Sequence, residues 1–190
     1  MLEAMKIGRA LRRARAEVYV PPNAHCASAC ILVLASGATR EVLGYDPGEN
    51  AEGPVIAVGL HRPTFPTEEF AALSPEGAKI QYDHLRALVR EFLNEMGMSD
   101  SLFQDMLRVP SQNIMWLDKN RLKNYGLEGE DPAFAEYVHA HGVEYCGAEY
   151  MDARDELDRC ISGSHTKKEN DVCVATYQEK FSRMVTPCGR

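Results

Sequence analysis

No window of this sequence approaches the roughly 18 to 20 uncharged apolar residues that a bilayer-spanning helix requires. The longest apolar stretch, Ala29 to Ala35, amounts to about two helical turns. There is no Walker loop and no dinucleotide fingerprint, and the residues imply no cofactor. No repeat with a period of 20 to 50 residues occurs, nor any low-complexity tract, which excludes solenoids, propellers and simple arrays. Basic charge is in deficit: 21 Lys and Arg stand against 28 Asp and Glu, leaving a net −7, so wholesale nucleic-acid binding is disfavoured. What is present is ordinary for a globular chain: 45% hydrophobic and 26% charged residues over 190 positions, enough for one domain with a sizeable core and a tail.

The amino terminus is basic, with Lys6, Arg9, Arg12, Arg13 and Arg15, but no apolar h-region follows as a signal peptide would need. Leu2, Met5 and Leu11, with Ala4 and Ile7 beside them, predict an amphipathic helix over Leu2 to Ala14 with a solvated arginine face; a basic membrane-surface helix is the other reading of the same pattern. Glu17 to Val20 reads as a short strand closed by Pro21-Pro22-Asn23, and Ser28 to Ala35 as a buried helix ended by Gly37. Glu41 to Pro54, rich in Gly and Pro, reads as a surface excursion before a buried strand, Val55 to Leu60, that delivers His61. Ser74-Pro75-Glu76-Gly77 opens a helix whose apolar face is Ile80, His84, Leu85, Leu88, Phe92 and Leu93. Asp100 to Leu107 follows as a short helix with an acidic cap, then a strand at Ile114 to Leu117, then a last helix over Asp118 to Asn124 stopped by Gly126. The alternation predicts an α/β fold with parallel neighbouring strands and covering helices over residues 1–130. Residues 131–190 form a Cys-containing, mostly helical appendage.

His25-Cys26-Ala27-Ser28-Ala29-Cys30 is the segment richest in chemistry, because it sets a serine between small neighbours where an extended segment enters a buried helix. A hydroxyl there meets the positive end of the helix dipole, and the Ala29 amide is an unpaired first-turn donor able to hold an oxyanion. His61, at the carboxyl end of the next strand, is the base such a nucleophile needs. The same residues also fit an ordinary helix N-cap and a histidine anchoring a strand end, and local chemistry leaves both readings open.

The run Cys26 to Gly37, then Arg40, then Val58-Gly59-Leu60-His61-Arg62-Pro63, then Tyr125-Gly126-Leu127 resembles the Clp protease-like branch of the Clp/crotonase superfamily, and more narrowly its uncharacterised, often exported bacterial members. The resemblance covers residues 2 to about 128 and implies a fold of stacked β-α units. It makes Ser28 the nucleophile, His61 the general base and Ala29 an oxyanion donor toward a peptide or small acyl substrate. It also implies a homo-oligomer, since the superfamily commonly builds trimers and larger rings. The family's first strand and glycine-rich turn, source of the second oxyanion donor, would precede the Leu2 helix, so an N-terminally truncated domain is expected, with a longer precursor carrying an export signal. Losing one such donor typically costs about 3 to 4 kcal/mol. Ser28 and His61 are 33 positions apart, and the Gly/Pro-rich excursion absorbs the length beyond the family's pattern. The family's aspartate has no counterpart; Asn113 can take its place through the amide oxygen, or a bare Ser–His dyad operates.

Six cysteines, four of them (Cys146, Cys160, Cys173 and Cys188) in the tail, favour disulfides and a periplasmic or secreted location. The local pairing is Cys146 with Cys160 and Cys173 with Cys188. Cys26 and Cys30, at i,i+4 on a regular helix, lie too far apart for a bridge, and one of them packs as a small apolar residue. They lack the second Cys/His pair a zinc site needs. His139 and His141 read as a surface pair, and Glu68, Glu69 and Glu76 as solvated charge. The functional expectation is a serine hydrolase of peptidase type. The alternatives are a catalytically silent binding or assembly module and, more weakly, a crotonase-like acyl-CoA enzyme.

Overall fold

The computed structural model describes residues 1–43, 58–64, 72–163, 166–184 and 188. Positions 44–54 of the excursion expected over Glu41 to Pro54, positions 55–57 of the strand before His61, and Glu68 and Glu69 lie outside the described residues. Two compact units form, Met1–Asp131 and Pro132–Arg190.

The first unit runs α1 (Leu2–Arg13), β1 (Glu17–Val20), β2 (Cys26–Ala27), α2 (Cys30–Ala35), β3 (Thr39–Val42), β4 (Val58–Leu60), α3 (Pro75–Glu95), α4 (Asp100–Arg108), β5 (Met115–Trp116), α5 (Lys119–Tyr125) and β6 (Gly129–Glu130). The α/β class is met, but the sheet is mixed and divided. One three-stranded sheet has the order β1-β3-β6 and the other β2-β4-β5. The pairs β1–β3 and β2–β4 are parallel, whereas β6 and β5 run antiparallel to their neighbours. β3 is obscured in the sequence because one of its two inward residues, Arg40 beside Val42, is an arginine, and its last two residues, expected to open the surface excursion, belong to the strand instead; in β2 and β6 two residues carry no periodicity.

Helix boundaries follow local chemistry. The Ser74 hydroxyl accepts from the Gly77 N–H at 3.1 Å with Pro75 at the first position of α3. Asp118 caps α5 by accepting from the Arg121 N–H at 2.8 Å, and Gly126 at φ 80° ends it. At α4 the cap is Ser99 and not Asp100, which is the first helical residue. The buried stripe of α3 is Leu85, Val89, Phe92 and Leu93; Ile80 and His84, expected on it, are exposed, because only the carboxyl-terminal half of this helix meets the core. In α1 the buried residues are Ala4, Met5 and Gly8, while Leu2 and Ile7 are exposed. Gly8 is needed there: a Cβ would come within 2.2 Å of the Ser36 Oγ and 2.7 Å of Phe92 Cζ. That contact draws α1 against the end of α2, whose Ile31, Leu32 and Leu34 are buried. Each such side chain contributes about 2 kcal/mol by leaving water.

The arginine face of α1 is not wholly solvated. Half-buried Arg12 donates to the Met96 carbonyl at 2.9 Å and the Ala35 carbonyl at 3.3 Å, and its Nη1 lies 2.7 Å from Asp131 Oδ2. These carbonyls close α3 and α2, so one guanidinium satisfies the orphan acceptors of two helix ends. Arg40 of β3, 3% exposed, reaches the same carboxylate at 4.0 Å. Burial, and then repulsion from Arg12, lowers its pKa against the pull of Asp131.

The second unit is helical: α6 (Pro132–Cys146), α7 (Ala148–Gly163) and α8 (Lys167–Ser182), the last opened by a Thr166–Glu169 capping box. Its disulfides are Cys146–Cys188 and Cys160–Cys173, which corrects the expected pairing of sequence neighbours. A helix does not fold back within itself, so Cys160 in α7 meets Cys173 across the turn into α8, and the outer pair nests around the inner one. Among the described residues of this unit only Met151, Ala153 and Cys173 are buried. The bridges, worth about 3 and 4 kcal/mol for such loops, supply what this thin core lacks.

Two outcomes are expected. Asp131→Asn leaves two guanidinium groups facing each other without their carboxylate, and lowers the unfolding free energy by about 3 kcal/mol; urea melts followed by fluorescence of Trp116, the one tryptophan, measure it. The second concerns Tyr125, whose hydroxyl donates to Asp105 Oδ2 at 2.5 Å. Burial and then this carboxylate push the phenol up to about 12, while the same hydrogen bond, then Arg108, holds Asp105 below the usual carboxylate range. A raised phenol pKa contributes stability that is full below about pH 10 and lost between about 10 and 12; the depressed carboxylate contributes above about pH 4 and loses it in acid. The gap between wild type and Tyr125→Phe in urea melts is therefore narrower at pH 11 than at pH 9, and a constant gap would exclude this coupling.

Candidate functional site

Ser28 stands between β2 and α2 with φ at 57°, a left-handed conformation that costs a non-glycine residue roughly 1 to 2 kcal/mol. The turn is tight: the Ser28 carbonyl accepts from the Ile31 N–H and the Ala29 carbonyl from the Leu32 N–H, both at 3.1 Å. Such a bend between strand and helix lifts a serine hydroxyl out of the chain's path. Ala29 is the N-cap residue of α2, where amides have no intrahelical acceptor.

A disulfide closes the turn. Cys26 and Cys30 are bridged with Cα atoms 5.2 Å apart, against the expectation that they could not meet. The helix begins only at Cys30, and the left-handed step at Ser28 returns the chain toward the strand, so the i,i+4 helical spacing never applies. Cys26 is 2% exposed and belongs to the core, whereas Cys30 is exposed.

His61 directly follows β4. The parallel register sets Cys26 opposite Val58 and Ala27 opposite Gly59, so Ser28 and His61 leave the carboxyl ends of adjacent strands one and two residues later. Neighbouring strands lie about 4.8 Å apart. Among the described residues no hydrogen bond joins the Ser28 hydroxyl to the imidazole. The ring Nε2 lies 2.9 Å from the Ser111 carbonyl; a carbonyl only accepts, so Nε2 carries the proton and the neutral ring's lone pair is on Nδ1. Nδ1 is buried with no partner among the described residues.

The turn that holds the ring spans Pro110 to Asn113, closed by the Asn113 N–H on the Pro110 carbonyl at 2.9 Å. Asn113 itself is exposed. Ser111 went unselected in the sequence because the group it offers is a main-chain carbonyl, which every residue has. Arg62 ties the next position down by donating to the Leu107 carbonyl at 2.7 Å.

Alternation along β4 sends Val58 and Leu60 into the core and leaves Gly59 and His61 on the opposite face. Trp116 of β5 is paired with Gly59, and its ring lies 5.5 Å from that of exposed His25. A Cβ on Gly59 would come within 2.4 Å of Ile114 Cγ2 and 2.7 Å of Trp116 Cε3, so only glycine admits β5 here. The lone tryptophan opposite a strand glycine was the available signal for this ring pair. Away from the site, His139 pairs with Asp155 at 3.1 Å and the His141 ring bonds the Tyr137 carbonyl at 3.0 Å; Glu76 is exposed in the first turn of α3.

No protein-family model, curated protein or solved structure matches this chain.

Gly59→Ala is expected to cost about 2 kcal/mol by overpacking, seen as a lowered urea midpoint in Trp116 fluorescence. Adding Ile114→Ala recovers part of the loss. An unchanged midpoint would mean that β5 does not lie on β4 at this register.

Proposed function

We propose that the first unit is a serine hydrolase of peptidase type, with Ser28 as nucleophile, His61 as general base and the Ala29 N–H as an oxyanion donor. The observation that supports this most is the left-handed Ser28 turn beside the strand end that bears His61. The resemblance of the Cys26–Gly37 and Val58–Pro63 segments to Clp-type peptidases points the same way. In the reaction, the Ser28 oxygen attacks the carbonyl carbon of a peptide or small acyl substrate and its proton passes to the lone pair on the His61 ring. The oxyanion is held by the Ala29 N–H. Collapse expels the amine or alcohol, which takes the proton from His61, and water then cleaves the acyl-enzyme by the same route. The Ser111 carbonyl fills the orienting position through the Nε2 proton, which makes Nδ1 the working nitrogen; Asn113 remains the side-chain candidate for that role. Catalytic hydrogen bonds are often long before substrate binds, so the missing Ser28–His61 bond is compatible with this chemistry. A periplasmic or secreted location fits three disulfides, which persist in oxidising compartments.

A second reading, a catalytically silent binding or assembly module of the homo-oligomeric kind found in this superfamily, is favoured by one observation. Among the described residues no hydrogen bond joins the Ser28 hydroxyl to the His61 ring, whose buried Nδ1 has no partner.

Labelling with a fluorophosphonate probe separates the two. The hydrolase reading expects covalent label on Ser28 in the wild type and at least a 100-fold slower reaction in His61→Ala, with none in Ser28→Ala and folding of both variants intact by urea melt. A well-folded wild type that takes no label supports the silent module.

A further inference from the structure

The Cys26–Cys30 bridge is placed differently from the other two. It spans Ser28, one of the non-glycine residues at positive φ, and of the six cysteines only Cys30 is exposed; Cys26 and Cys173 are buried and Cys146, Cys160 and Cys188 half-buried. Exposed disulfides are the labile, exchanging ones. We propose that Cys30 is a thiol-exchange site, and that a small thiol such as glutathione opens the Cys26–Cys30 bridge and releases the Ser28 turn. That the release silences catalysis rests on the reading of Ser28 as nucleophile; the exchange itself does not.

The step balances as an ordinary disulfide exchange. The glutathione thiolate attacks the Cys30 sulfur, a new S–S bond forms, and Cys26 departs with the electron pair of the broken bond and takes a proton from solvent. A second glutathione completes the two-electron reduction, leaving two thiols and glutathione disulfide. Cys26 belongs to the buried core with Val58 and Ile31, where an apolar site favours the neutral thiol, so the departing sulfur is protonated as the bond breaks and the same burial slows opening and return alike. External thiols reach Cys30 and not Cys26, so the adduct forms on one defined sulfur.

The consequence for the backbone follows from the geometry of the turn. Between Cys26, held in the β2–β4 ladder, and Cys30, which starts α2, lie only Ala27, Ser28 and Ala29. The bridge closes this short ring and holds Ser28 at a positive φ that serine does not choose unaided. Once it opens, Ser28 relaxes to an ordinary conformation and the hydrogen bonds from Ile31 and Leu32 onto the turn loosen.

The test uses the oxidised full chain in glutathione buffers of stepped redox ratio, with acid quench, alkylation under denaturing conditions and peptide mass mapping, alongside amide hydrogen exchange and fluorophosphonate labelling. The expected result is glutathione on Cys30 and alkylated Cys26 at ratios that leave Cys146–Cys188 and Cys160–Cys173 closed, with exchange at residues 27–34 at least tenfold faster. Opening of a tail bridge first, or opening of Cys26–Cys30 with unchanged exchange at 27–34, overturns the proposal. Label on Ser28 that vanishes on opening and returns on reoxidation supports the link to catalysis; label that persists after opening overturns that link. No label in either state overturns the nucleophile assignment alone, and the mass spectra and hydrogen exchange still decide the thiol site.

Discussion

The first unit depends on a single guanidinium. Arg12 meets the last carbonyls of α2 and α3 and the carboxylate of Asp131, so three chain segments converge on one planar donor. A charge drawn out of water is costly unless paired and hydrogen-bonded, and here Nη2 meets both carbonyls while Nη1 meets the carboxylate. Arg40, which is buried, adds a second cation to the same carboxylate, which draws β3 in beside β1. The arrangement tolerates no partial version, because removing the anion leaves buried Arg40 and half-buried Arg12 without their counter-charge.

That anchor reaches the candidate site through α2. The helix is only six residues long, and both ends are tied: Arg12, Gly8 and Ser36 crowd its carboxyl end, and the Cys26–Cys30 bridge closes its amino end. A short buried helix fastened twice transmits position well, since packed interiors yield little. The Ser28 turn is thereby held against β2, and the β2–β4 register sets it beside the strand end that carries His61. The ring is steered from a third direction by the Ser111 carbonyl, so serine and histidine are oriented by separate elements. A hydroxyl and an imidazole without a mutual hydrogen bond are compatible with a substrate-free hydrolase and with a silent relative, and the reactivity of the serine distinguishes them.

The two units are stabilised by different means. In the first, side chains such as Phe92, Leu93 and Leu102 leave water almost completely, and burial supplies the stability. In the second, few of the described residues are buried, and nested disulfides restrict the unfolded chain instead. Only the bridge at Cys26–Cys30 lies in the unit with a full core, which is why its role is better sought in the serine turn than in global stability.

Much of this was legible from residue order alone. Ser74 before Pro75, Asp118 before α5 and Gly126 after it announce helix limits because capping is a contact between near neighbours. The run into His61 and the small residues around Ser28 likewise announced a strand end and a tight turn. What the sequence could not decide were choices made across long separations. Whether Arg12 faces water or a buried carboxylate 119 positions away depends on which helix ends gather around it. Whether Cys160 meets Cys146 or Cys173 depends on how α7 and α8 fold back. Whether a histidine is held by Asn113 or by the Ser111 carbonyl depends on the path of a turn. Local propensity carries the elements, because its energies arise within a few residues; pairing, burial of charge and the geometry of the site arise only when distant segments compete for the same space.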